Sequence, residues 1–189
     1  MGEILHLGAL APAVIGACCI AADRRRARAP ELAASVLMLV AMLDVVLWGV
    51  VAPVLWAAVL IAAAVALAAL RGRAARSRVA RKPGAGRTSA ALAPSTVMTV
   101  HATLGLVVMA ALVLAMIPDA STPGPVAGHH GSGASFGLVA AASALLFGLV
   151  SVIATRAPHG GAARASVLER AQLIAMGAST AAMGVALLA

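Results

Sequence analysis

From Leu32 to Leu70 the chain runs 39 residues with a single charge, Asp44. A membrane-spanning helix uses about 20 mostly apolar residues, so this run is too long for one crossing and has to turn. The stretch "WGVVAPVLW" supplies the turn: Gly49 can end one helix, and Pro53 suits the first turn of the next. Trp48 and Trp56, the only two tryptophans, flank it closely, as an interfacial aromatic pair does.

The rest of the chain follows the same plan. Of its 189 residues 62% are hydrophobic and 11% charged, with a mean hydropathy of +1.03, whereas soluble domains carry about a quarter charged residues. A soluble domain of this size cannot bury that much apolar surface. Six segments are long and apolar enough to cross a bilayer: 4–22, 32–50, 53–70, 95–117, 135–154 and 168–188. The expected fold is an all-α integral membrane protein, one six-helix transmembrane bundle over residues 1–189, multi-pass in the cell membrane. No strand pattern and no soluble domain is visible.

The basic residues give the bundle a direction. All fourteen fall between segments 1 and 2, between 3 and 4, or between 5 and the start of 6; the other connections and both termini have none. Six crossings place these two sets on opposite sides, and the positive-inside rule then puts both termini outside the cytoplasm. The first segment lacks a basic start and is followed by its Arg cluster, which reads as an uncleaved N-out signal anchor. In "MGEILH" His6 stands where myristoylation needs Ser or Thr.

Residues 71–94 form the largest basic connection, a cytoplasmic loop opening on "RGRAARSRVARK". It has no aromatic platform for bases and is tied at both ends to membrane helices, so nucleic acid is excluded as its partner. Arg71, Arg73, Arg76, Arg78, Arg81 and Lys82 instead suit anionic lipid headgroups, worth about 1 kcal/mol each near the surface. Residues 118–134, "PDASTPGPVAGHHGSGAS" with their flank, read as a flexible outer loop. Adjacent Cys18 and Cys19 read as small buried apolar side chains rather than a disulfide framework.

Asp44 is an acid in the apolar part of a membrane helix, which costs several kcal/mol if ionised and facing lipid. It reads either as part of an ion or proton pathway with His101 and His6, or as a group hydrogen-bonded to a neighbouring helix or wetted near the outer surface. Asp44 and His101 differ in depth by about 10 Å at a rise of 1.5 Å per residue, so they are not a direct pair. Methionines recur at helical spacing: Met38 and Met42 on the second helix, Met109 with His101 on the fourth, Met176 and Met183 on the sixth. By depth Met38, His101 and Met176 fall near one level, and Met42, Met109 and Met183 near another. Thioether and imidazole ligands suit Cu(I), which makes copper a candidate cofactor or cargo. Methionine as an adaptable packing residue, with no cofactor, is the reading that the lack of a fixed-spacing ligand motif favours. His129 and His130 in the outer loop form a further possible metal pair, held poorly by Gly and Ser. No nucleophile–base arrangement, phosphate loop or HExxH helix is present, so the chain reads as a non-enzyme.

The segments "ELAASVLMLVAMLDVVLWG" and "VMTVHATLGLVVMAALVLAM" resemble a family of small actinobacterial polytopic membrane proteins whose second and fourth helices carry repeated His and Met. The resemblance covers helices 2 to 4 and matches Met38, Met42, His101 and Met109. A His expected near Ser35 or Val36 is absent, which sets this chain apart from the family's pattern. The resemblance implies an origin and adds no activity. The expected function is small-solute or metal-ion (copper-like) handling through the bundle. The alternative is a structural or accessory subunit, packed as a homo-oligomer or against a membrane partner through small-residue faces such as Ala9, Ala13, Ala17 and Ala171, Ala175, Ser179.

Overall fold

A computed structural model describes residues 2–22, 29–81, 94–117, 132–156 and 167–188. Among them the chain forms six helices: α1 Gly2–Ala22, α2 Ala29–Leu43, α3 Pro53–Arg81, α4 Pro94–Ala115, α5 Ser132–Arg156 and α6 Val167–Leu188. A π turn, Asp44–Trp48, extends α2. Five helical segments are long and apolar enough to span a membrane: Ala29–Trp48, Pro53–Ala74, Met98–Ala115, Ser135–Arg156 and Val167–Leu188. In α1 the corresponding run among the described residues is the shorter Leu10–Cys19.

The helices pack as α1 on α6, α6 on α5, α5 on α4 and α4 on α3, with α2 set against α1, α3 and α4. They alternate in direction. Glu31 near the start of α2 accepts a hydrogen bond from Thr99 near the start of α4. A Cβ built on Gly16, near the end of α1, would meet Ala175 on the first half of α6. The starts of α2, α4 and α6 therefore share one end of the bundle with the ends of α1, α3 and α5. α4 and α6 are the most buried spans and α3 the least. The outward faces stay apolar: Val59, Val65 and Leu70 on α3, and Leu138, Leu146 and Ile153 on α5, are exposed. Apolar faces of this extent are rare on proteins in water and fit helices surrounded by lipid.

Two local features differ from the sequence reading. The helix expected to stop at Leu70 continues to Arg81. Hydropathy ends at Leu70, but Ala and Arg are strong helix formers, so "RGRAARSRVAR" keeps the helical backbone that the apolar stretch began. At 1.5 Å per residue α3 is about 43 Å long, against a hydrocarbon core of about 30 Å. Cys18, read as buried, is exposed, and Cys19 is half-buried; Cys18 lies on the opposite side of α1 from Gly16, which meets α6.

The turn between α2 and α3 closes on Gly49, which adopts the left-handed conformation (φ 57°, ψ 27°) and donates its N–H to the Asp44 carbonyl. Nothing lies within 4 Å of the place a Cβ would occupy, so only backbone strain opposes a side chain there. Gly49→Ala is expected to destabilise by about 1–2 kcal/mol, and Gly49→Asn by less, read as a lowered unfolding midpoint in detergent.

Candidate functional site

The buried methionines come from three helices: Met38 and Met42 from α2, Met109 from α4, and Met176 and Met183 from α6. Spacings of four and seven turn each pair to one helix face. Met38, Met42 and Met176 line one small cavity of about 20 Å³ together with Ser35, Ser179 and Thr180. Ala13 and Ala17 of α1 line it from a third helix, with Leu39 of α2. The long thioether chains bridge the gap between α2 and α6. Ser179 Oγ donates to Met42 Sδ at 3.6 Å, and Gln172 Nε2 to Met176 Sδ at 3.7 Å. Thr180 Oγ1 donates back to the Met176 carbonyl at 2.9 Å, the usual helical outlet for a hydroxyl.

Gly105 on α4 makes room for the inner ends of these side chains. A Cβ there would lie 3.5 Å from Met38 Cε, 3.7 Å from Met176 Cε and 3.3 Å from Phe147 Cζ. One turn away His101 stacks on Phe147, with ring centroids 4.5 Å apart and planes inclined by 23°. The ring thus abuts the cluster by way of Phe147 and Gly105. Two of its polar atoms are buried without a partner, Ser35 Oγ and His101 Nε2. Buried polar atoms are nearly always paired; of these two, Ser35 lines the thioether cavity and His101 stands outside it, behind Phe147.

Asp44 is engaged differently. Its Oδ1 accepts from the Val50 N–H at 3.2 Å; its Oδ2 accepts from the Val51 N–H at 3.0 Å and from the Trp56 indole at 2.6 Å. Backbone N–H groups after the end of a helix have no helical acceptor, and the carboxylate supplies one while tying the start of α3 to the end of α2. Trp56 is half-buried by this contact, while Trp48 points outward and is 64% exposed. No hydrogen bond joins Asp44 to His101.

The other expected site residues are more scattered. Met109 and Met183 are fully buried in the same core. His6 lies on α1, but its side chain is outside the described residues, as are those of Arg78 and Arg81; His129, His130 and Lys82 are outside them altogether. Arg73 and Arg76 are exposed on the extension of α3, Arg71 half-buried. Among the described residues no three His, Cys, Asp or Glu side chains gather where they could hold a metal. Phe147, Trp56 and the Glu31–Thr99 pair were not visible as site features in sequence. Only Trp56 carried a signal, as the one indole beyond the turn able to reach back to an acid.

No family model, curated protein or solved structure matches the chain.

Proposed function

We propose that the chain is a multi-pass protein of the cell membrane that handles a small cargo, a metal ion rather than an organic solute, inside its helix bundle. The observation that carries this reading is the cavity shared by Met38, Met42 and Met176. A space of about 20 Å³ takes one water-sized occupant and is far too small for an organic solute, whose pockets run to roughly 300 Å³ or more. In this reading six crossings put both termini outside and the basic connections in the cytoplasm. The shared end of α2, α4 and α6 supports that arrangement, since in sequence all fourteen basic residues fall in the connections that lead into these three helices or in the helix turns flanking them.

The accessory-subunit reading has less behind it. The closest small-residue contacts are used inside the chain, where Gly148, Gly177 and Gly184 join α5 to α6. The basic overhang of α3 serves in this reading as a collar for anionic headgroups, with Arg71, Arg73 and Arg76 at the level where the apolar span gives out. A reporter fused after Gly84 is expected to read as cytoplasmic, and one at the C-terminus as outside. The opposite pattern overturns the orientation.

The cargo is tested in cells. Expression in a copper-sensitive bacterial host is expected to shift copper or silver tolerance relative to empty vector, and Met42→Leu to reduce the shift. Unchanged tolerance and unchanged metal content with the protein present in the membrane reject the reading.

A further inference from the structure

We infer that the cavity between α1, α2 and α6 is a binding site for one soft monovalent d¹⁰ cation, Cu(I) or Ag(I), with the thioether sulfurs of Met38, Met42 and Met176 as ligands and Ser35 Oγ as a weak fourth donor. The inference rests on the metal-ion reading above and gives it a ligand set and a charge.

The ligand chemistry comes first. Three methionines on two helices line one small, partly open cavity, and thioether sulfur selects soft metals. Zinc and the hard cations need thiolate, imidazole or carboxylate oxygen, and no three such groups meet among the described residues.

The charge follows from electrostatics. The lining holds no ionised group, so a bound cation keeps its full charge in a low-dielectric interior. The solvation cost of a buried ion rises with the square of its charge, which favours a monovalent over a divalent ion.

The geometry also fits. The space of about 20 Å³ admits a dehydrated ion and excludes a hydrated one. Ser35 lines it, and its Oγ is buried without a partner; a ligand that the hydroxyl reaches from there removes that orphan. A single trapped water would do the same, and it is the competing occupant.

The experiment is a titration of the purified full-length protein in nanodiscs with Ag(I), and with Cu(I) against a chromophoric chelator. One ion per chain is expected. Met42→Leu and Met176→Leu keep side-chain volume, so the fold tolerates them, and each is expected to weaken binding at least tenfold. Ala17→Leu keeps all three sulfurs and fills the space, and is also expected to abolish binding. Wild-type protein that binds neither ion, or a Met38/Met42/Met176 triple Leu variant that still binds one, overturns the site and leaves the cavity to water. Intact binding with no change in cellular metal tolerance overturns the transport reading and not the site.

Discussion

Asp44→Leu is expected to lower the unfolding midpoint of the purified protein by roughly 5–10 °C, at the sensitivity of a chain this size. The substitution keeps an apolar helix apolar, so hydropathy alone predicts a gain. What it removes is the acceptor for the Val50 and Val51 N–H groups and for the Trp56 indole. In or near lipid a backbone N–H without a partner is costly because water is not there to replace it. Asp44→Asn keeps one carbonyl acceptor and should fall between wild type and Leu. Trp56→Phe keeps the ring, removes one donor, and should have the smallest effect. Melting curves taken at a single scan rate in one detergent check the order. An ion- or proton-carrying Asp44 makes the opposite prediction: Asp44→Asn would leave the midpoint unmoved and remove the tolerance phenotype.

The seam between α5 and α6 should respond as strongly. A Cβ on Gly177 would stand 2.6 Å from Ser151 Cβ and 2.7 Å from Ser151 Oγ, both within contact limits that real atoms do not cross. The Gly184 position is nearly as tight, at 2.9 Å from Ala144 Cβ. The Ser151 side chain has little room to turn away, because it is fully buried with its hydroxyl tied to the Phe147 carbonyl at 2.7 Å. In a membrane, helix association relies on such close backbone approach rather than on the exclusion of water. Gly177→Ala is therefore expected to cost about 1–3 kcal/mol by overpacking, and Gly177→Leu to prevent recovery of folded protein. Adding Ser151→Gly to Gly177→Ala should restore most of the loss, with a coupling of about 0.5–3 kcal/mol. Two losses that simply add would show that the two positions do not meet.

These two sites also mark where sequence reasoning stops. Helix positions were legible because long apolar runs and the Gly49–Pro53 turn are written in residue type. The Met faces were legible because a helix repeats every 3.6 residues, but the levels were not: Met42, read level with Met109 and Met183, lines one cavity with Met38 and Met176, and His101 does not. The α5–α6 seam was not, because α5 and α6 are so rich in Ala that Gly148, Gly177 and Gly184 do not stand out until two backbones are brought together. The partner of Asp44 lay twelve residues away across a turn whose shape depends on a left-handed Gly49. The extension of α3 past Leu70 was missed because the segmentation followed hydropathy, and helix propensity does not fall where hydropathy does.

The π turn at Asp44–Trp48 separates two tasks of one helix. A π turn holds about one residue more than an α turn, and one residue is about 100° of rotation. Everything before it keeps the rotational phase that points Met38 and Met42 toward α6. Beyond it the left-handed Gly49 reverses the chain and carries Val50, Val51 and Trp56 back over the carboxylate. The direction in which α2 exits is thus set apart from the direction in which it faces its neighbours. Deleting Val46 would couple the two again: the hairpin or the methionine face could be in register, and not both.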